Sequence, residues 1–285
     1  MFEVLHAGLF HAVSLPVFGK QDTGVSPGGA MDLFSYETGN ALLGNPADAP
    51  ALEILMAPVL KFTKDAWFVV TGAGWESVIL DGSVRQQIRH GEVFRADAGD
   101  ILSFNEKKYG FRSYLCYKAV GKIKGAGPRG RKRGAFSAVA RWPDPQGLIR
   151  VVEGPEYCFL KNPDDFFQQS FRIEKDSNAM GLRLKGRGAE ICLSMEKDMV
   201  SEAVCDGTVQ LTPGGPVVLL RHRQTIGGYP RIFNVITADL DTLAQVGPCE
   251  IIRFKRVALW EAMDVLRVQK RDLERIRMVC KDHGG

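Results

Sequence analysis

The segment Asp206-Gly207-Thr208-Val209-Gln210-Leu211-Thr212-Pro213-Gly214-Gly215-Pro216-Val217-Val218-Leu219-Leu220 holds two β-prone runs, 208–211 and 217–220. Asp206-Gly207 and Pro213-Gly214-Gly215 supply turns around them. The same short-strand rhythm continues at 232–236 and 250–254, and upstream at 149–152 and 181–184. In the first half, residues 52–56, 67–71, 77–80, 84–89, 101–104 and 113–120 read alike. Gly72-Ala73-Gly74, Asp81-Gly82 and Gly99-Asp100 are expected as turns between them. Asp81-Gly82, between Val78-Ile79-Leu80 and Ser83-Val84, carries a two-residue hairpin signal. Many short strands with few helices predict a mainly β chain, a barrel or sandwich built twice over.

Two segments break the strand rhythm. Residues 31–43 predict a helix that follows the turn Ser26-Pro27-Gly28-Gly29 and stops at Gly44-Asn45-Pro46. Residues 259–280 predict a second, with Leu259, Met263, Leu266, Leu273, Ile276 and Cys280 on one face. That face either docks on its own domain or serves a partner. A Gly/Pro/Arg-rich stretch separates the halves. The expected division is a domain over 1–120, a connector over 121–146, a domain over 147–258, and a C-terminal helix and tail over 259–285.

The bulk composition excludes several classes. With 285 residues, 45% hydrophobic and 25% charged, the chain can bury a core without staples. Its opening lacks the basic n-region of a signal peptide. Its longest apolar runs, near 66–70 and 216–220, fall far short of the ~20 residues of a membrane helix. The six cysteines form no CxxC pair, which fits reduced thiols in a cytoplasmic protein and small buried side chains. Eight basic residues and no acid lie between Lys118 and Arg141, so the remainder of a chain of net charge +4 is acidic. This is not the profile of a general nucleic-acid binder. The basic stretch reads as a solvated loop, a dock for an acidic partner or nucleotide phosphate, or a nucleic-acid contact. Gly125-Ala126-Gly127-Pro128-Arg129-Gly130 matches GxGxxG, but Pro128 has no N–H to offer a phosphate. The five histidines are dispersed, and no metal site is expected.

Two glycine-dense motifs carry the chemistry. The first is Gly24-Val25-Ser26-Pro27-Gly28-Gly29-Ala30-Met31-Asp32, followed by Asn40-Ala41-Leu42-Leu43-Gly44-Asn45. The second is Asp206-Gly207-Thr208-Val209-Gln210-Leu211, then Arg223-Gln224-Thr225-Ile226-Gly227-Gly228-Tyr229-Pro230. Gly-Gly pairs allow positive φ and let N–H groups face an anion. Asp32 either caps the following helix or accepts from a ligand. Gln210, Gln224, Thr225 and Tyr229 are neutral hydrogen-bonding groups suited to amide or carboxylate recognition. The plain alternative is two tight turns and a capped helix.

Together these segments resemble the family of the 5-oxoprolinase C-type subunit and allophanate hydrolase subunit 2 (KipA-like, biotin-dependent carboxyltransferase-like). Val151-Val152-Glu153-Gly154-Pro155, Gly110-Phe111-Arg112-Ser113-Tyr114-Leu115 and Thr237-Ala238-Asp239-Leu240 extend the likeness over nearly the whole chain. The resemblance implies two tandem cyclophilin-like β-barrel domains with a few helices. It implies work with a B-type (KipI-like) homologue and an A-type partner, in ATP-dependent opening of 5-oxoproline to glutamate. Other members form the carboxyltransferase region of urea amidolyase. ATP would then act through the complex. Biotin would not be bound covalently and would enter only as carboxybiotin supplied in trans.

The chain departs from the family at polar positions. Val13-Ser14-Leu15-Pro16-Val17-Phe18 stands where the family has Val-Gln-Asp-Leu-Gly-Arg. Ser177-Asn178-Ala179-Met180-Gly181 replaces Ser-Asp-Arg-Met-Gly, and His222 replaces the Asp before Arg-Gln-Thr. His222 is a candidate general base, with a solvated or core-satisfied histidine as the alternative. The catalytic candidates are therefore His222 and Asp32. The substrate-binding candidates are Gly28, Gly29, Arg183, Gln210, Gln224, Thr225, Gly227, Gly228 and Tyr229, in a pocket expected between the Gly28-Gly29 turn and the 224–229 turn. Three functions compete: a component of an ATP-dependent 5-oxoprolinase-type complex, a non-catalytic regulatory component that keeps the partner interface, and a carboxyltransferase component.

Overall fold

The computed structural model describes residues 1–82, 85–120, 147–194 and 199–282, with no side-chain description for 279–282. The expected connector, its basic stretch and the Cys280 side chain fall outside the described residues. The chain is mainly β, with four α-helices among the described residues, and divides into two compact units. The first is Met1–Leu15, Asp32–Arg141 and Arg271–Gly285; the second is Pro16–Met31 and Trp142–Lys270. The units therefore do not follow sequence order as the 1–120 and 147–258 division assumes. No helix among the described residues is long and apolar enough to cross a membrane.

In the first unit, two five-stranded antiparallel sheets enclose one core. One runs Phe2–His6, Val59–Phe62, Ile101–Phe104, Val78–Asp81, Gln86–Ile88. The other runs Leu9–Val13, Ala51–Met56, Lys107–Ala119, Ala66–Trp75, Phe94–Ala96. Alternation along each strand sends Leu60, Phe62, Phe68, Val70, Leu80, Leu102 and Leu115 inward.

Two expected turns come out differently. Gly72-Ala73-Gly74 does not end a strand, because Ala66–Trp75 runs straight through it. The glycines instead serve a bulge, where the register against Lys107–Ala119 shifts between Tyr109 and Ser113. Gly72 has φ +83°, and a Cβ there would lie 2.4 Å from the Arg112 carbonyl oxygen. The Asp81-Gly82 hairpin forms, but Leu80 pairs with Gln86, so its connection is longer than two residues. Burial of Val78 against its partner Ile88 sets that register. Ser83 and Val84 lie outside the described residues.

The helix Leu33–Leu42 starts at Asp32, whose carboxylate accepts from the Ser35 N–H. Its Tyr36 is fully buried, and the hydroxyl donates to the Ala49 carbonyl at 2.6 Å. The cysteine expectation is corrected. Cys116 is buried, but Cys158, Cys192, Cys205 and Cys249 are exposed, the first on the short 3-10 helix Tyr157–Phe159 and the others on turns and irregular segments.

The second unit is a closed seven-stranded barrel in the order Leu148–Glu153, Arg231–Val235, Thr208–Thr212, Gly215–Leu219, Gly181–Gly186, Phe171–Ile173, Ile251–Arg256. Closure removes sheet edges. Phe166 packs on Phe171, Phe233 and Phe254 at ring separations of 4.8, 4.6 and 5.0 Å. Each such buried ring contributes about 1.5–3 kcal/mol from area alone. Met31, from the early segment Pro16–Met31, belongs to this same core.

The C-terminal helix spans Leu259–Asp282. Its expected apolar face is buried at Leu273 and Ile276, whereas Leu259, Trp260 and Met263 stand exposed.

Burial, with Cys116, Asp48 and Glu37 adding to it, pushes the Tyr36 hydroxyl up to about 12. The folded chain therefore holds a proton that an unfolded chain releases near pH ~10. This contribution is fully present below pH ~10 and is lost as pH rises through about 12. Tyr36→Phe should cost about 0.5–1.5 kcal/mol at neutral pH, because the Ala49 carbonyl loses one of its two donors and keeps Asn40 Nδ2 at 3.0 Å. Urea unfolding from pH 8 to 12 should show the gap to the wild type closing above pH ~10.

Candidate functional site

Three neighbouring strands of the second barrel build a groove on its outer wall. Val209, Leu211, Val218, Leu182 and Leu184 face the core, so the alternating positions face outward. Register then aligns Gln210, Val217 and Arg183 in one row across the three strands. The hairpin Thr212↔Gly215, closed by Pro213-Gly214, forms one lip. Asn178 and Met180 form a second, and Gln224 and Tyr229 a third, around a cavity of about 450 Å³.

Gln210 forms the floor and is 2% exposed. Its Nε2 donates to the Tyr229 carbonyl at 3.1 Å. A Cβ on Gly227 would lie 2.6 Å from that nitrogen, so a side chain there would push the Gln210 amide off the Tyr229 carbonyl. Gln210 thus acts as a strut for the 224–230 loop. The second face of that loop is tied as well. Ile226-Gly227 pairs with Glu202-Ala203, and the Thr225 carbonyl accepts from the Val204 N–H at 3.1 Å. A Cβ on Gly228 would sit 3.3 Å from the Met199 carbonyl oxygen. Thr225, Gly227 and Gly228 therefore shape the loop and are not among the residues lining the groove.

Arg231 anchors the end of the loop, and nothing in the sequence motifs singled it out. Its Nε and one terminal nitrogen donate to the two oxygens of Glu156 at 2.9 and 2.8 Å, and it also pairs with Glu202. These hydrogen bonds are the main cause that holds the Glu156 carboxyl below the usual carboxylate range. The signal was present only as an arginine directly after Pro230, which local pattern does not separate from a surface charge.

Arg183 pairs through Nε with Asp176 at 3.2 Å, and both side chains are more than half exposed. Such a solvated pair is worth about 0–1 kcal/mol.

The remaining candidates sit elsewhere. Gly28 and Gly29 adopt φ +61° and +82°, as their turn requires. The Gly28 N–H, however, already donates to the Arg221 carbonyl at 3.1 Å, so it is not a substrate donor. Arg221 in turn donates to the Met31 carbonyl and pairs with Asp206. His222 lies beside Gly28, its Cε1 3.7 Å from a Cβ built there, and is not a groove-lining residue. Asp32 belongs to the first unit, where its two oxygens accept from the Ser35 N–H and hydroxyl at 2.9 and 2.6 Å. Its carboxylate is committed to capping. The expected single pocket is therefore two places within the second unit, the groove and the Gly28–His222 turn. Among the described residues no group of three His, Cys, Asp or Glu could hold a metal ion.

Gly227→Ala should destabilise the chain by about 1–3 kcal/mol, as expected for overpacking against Gln210. Gln224→Ala, on the exposed lip, should stay within about 0.5 kcal/mol of the wild type. Urea unfolding of both variants checks this contrast.

A family model described as carboxyltransferase domain, subdomain A and B, matches residues 23–126 and 121–256. The C-type subunit of Haemophilus influenzae 5-oxoprolinase is 32% identical over 295 residues, spanning 93% of this chain and 94% of that one. Its Escherichia coli counterpart is 31% identical, spanning 97% of each chain. The solved Kluyveromyces lactis urea carboxylase superposes with a TM-score of 0.83 over 96% of this chain. At 21% identity and 29% of that chain's length, the latter is a likeness of fold. A family model that matches both halves, with relatives above 30% identical along almost the full length of the chain, places the chain in the carboxyltransferase-domain family that includes the C-type subunit of 5-oxoprolinase.

Proposed function

We propose that this chain is the C-type subunit of an ATP-dependent 5-oxoprolinase-type complex, with the barrel-wall groove as its substrate site. The observation that carries the proposal is near-complete mutual coverage with two C-type subunits of 5-oxoprolinase. Groove chemistry supports it. Asn178 and Gln224 offer amide donors and acceptors, and Tyr229 a hydroxyl, around a space of about 450 Å³. Fixing a small cyclic amide between them removes its translational freedom before any bond is broken. A B-type (KipI-like) homologue and an A-type partner would supply ATP handling and the rest of the hydrolytic machinery.

A second reading is a regulatory component that binds ligand and partner without turnover. It is favoured by one observation: neither His222 nor Asp32 is among the groove-lining residues. The same amides, Asn178 and Gln224, also match the ureido ring of carboxybiotin, which when supplied in trans delivers a carboxyl group.

The test is 5-oxoproline-dependent ATP hydrolysis by this chain mixed with its cognate A- and B-type partners, after size-exclusion confirms assembly. Turnover should vanish when this chain is omitted. Gln224→Ala and Tyr229→Phe should each lower kcat/KM by about tenfold, the loss of about one substrate hydrogen bond. His222→Ala should stay within about twofold. An assembled complex without turnover supports the regulatory reading, and dependence on added biotinylated carrier protein supports carboxyl transfer.

A further inference from the structure

We infer that the outer wall of the barrel over Phe171–Ile173, Gly181–Gly186 and Ile251–Arg256 docks an acidic face of a partner protein, with Trp260 as the apolar anchor. The subunit reading above, on which this rests, supplies the partners to test. The three strands carry six cations and no acid. Phe171, Ile173, Leu184, Ile252 and Phe254 fill the core, so the alternating positions face water. Register sets Lys185 opposite Arg172, and Arg172 opposite Ile251. The Arg187 N–H donates to the Ser170 carbonyl at 3.1 Å, which carries the ladder one step further. Arg253 and Lys255 follow Ile251 on the same strand face, both exposed. The field measures about 10 Å across the strands and about 13 Å along them.

Barrel packing asks only that these positions stay wet, and a mixed pattern would be the more stable one. Like charges directly opposite each other, as at Lys185 and Arg172, destabilise a sheet. Glu174, Asp176 and Glu153 pair with Arg172, Arg183 and Arg256. Lys185, Arg253 and Lys255 have no ion pair among the described residues. In a chain whose remainder outside 118–141 is acidic, cations gathered on one wall fit a complementary negative surface.

The wall runs on into an apolar stretch, which favours a protein over a nucleic acid. Only Val257 and Ala258 separate Arg256 from the helix Leu259–Asp282, and Leu259, Trp260 and Met263 at its start are exposed. Arg256 and Leu259, with Val152 and Val257, line a cavity of about 550 Å³ at this junction. Ile251, amid the cations, is 44% exposed. Trp, Met and Arg are the residues that protein interfaces concentrate, whereas a phosphate backbone gives the apolar ones nothing to bury against.

The test is the binding kinetics of the full chain with its cognate A- and B-type partners, each immobilised in turn, at about 50 and about 500 mM salt. Arg253→Glu/Lys255→Glu should slow association with one partner about tenfold or more at the lower salt and leave dissociation within about twofold. The difference should shrink to about twofold at the higher salt. Lys20→Glu/Lys64→Glu, the same change of net charge at two other exposed lysines, should stay within about threefold of the wild type. Trp260→Ala should speed dissociation about tenfold. Thermal unfolding of each variant checks that the fold is kept. Equal slowing by the two charge-reversed pairs, association that ignores both, or unchanged dissociation in Trp260→Ala would each overturn the inference. So would a short DNA duplex that binds the wild type more tightly than either partner and is lost in Arg253→Glu/Lys255→Glu. ATP hydrolysis separates the two proposals. Wall-dependent assembly without 5-oxoproline-dependent turnover keeps this inference and sinks the 5-oxoprolinase reading. Turnover by a complex whose assembly ignores the wall does the reverse.

Discussion

Closure of the second barrel is the constraint on which the rest of that unit depends. Val209, Val218 and Leu182 fill its interior, and a one-residue slip would turn every one of them to water. Because the register is fixed by that core, the outward row Gln210, Val217 and Arg183 is fixed with it. The groove is therefore a by-product of packing: its floor needs no stabilisation of its own.

The loop over the groove is different, since it carries little core. It is held by polar contacts aimed at its backbone and its ends. Gln210 reaches up from the floor to the Tyr229 carbonyl, and Arg231 grips Glu156 and Glu202 beside it. Arg231→Ala strands the Glu156 carboxylate, at a cost of about 1–3 kcal/mol, whereas Arg231 without Glu156 keeps Glu202 and the Ala203 carbonyl. The arrangement keeps Gln224 and the Tyr229 side chain exposed while the backbone beneath them stays rigid. Precision at a ligand site calls for this kind of support.

Much of the fold was legible because the strands obey a period of two and the helices start and stop on clear signals. Asp32 before the first helix and Gly44-Asn45-Pro46 after it are such signals. The motif around Gln224 and Tyr229 also pointed to residues that the structure brings into one groove with Arg183. What was not legible depends on pairing between distant residues. The glycines at 72 and 74 look like a turn until their register against Tyr109 and Ser113 is known. Gln210 looks like a ligand until its carbonyl partner, 19 residues on, is seen. Arg231 finds Glu156 across 75 residues, a separation that local pattern cannot reach. The glycine turn at 28–29 and His222 were expected to face substrate, yet the turn's N–H is committed to Arg221.

The early segment Pro16–Met31 has a consequence for how the chain comes to be. Met31 lies in the core of the second unit and meets Arg221 across 190 residues. During synthesis from the N-terminus this strap leaves the ribosome long before the strands it packs against. It must wait, unpaired, while most of the protein is made. The second unit is then completed by a piece of chain older than itself, and a fragment cut between the halves would lack its own strap. Closing so long a loop is entropically slow, which makes this step a candidate for the last event in folding.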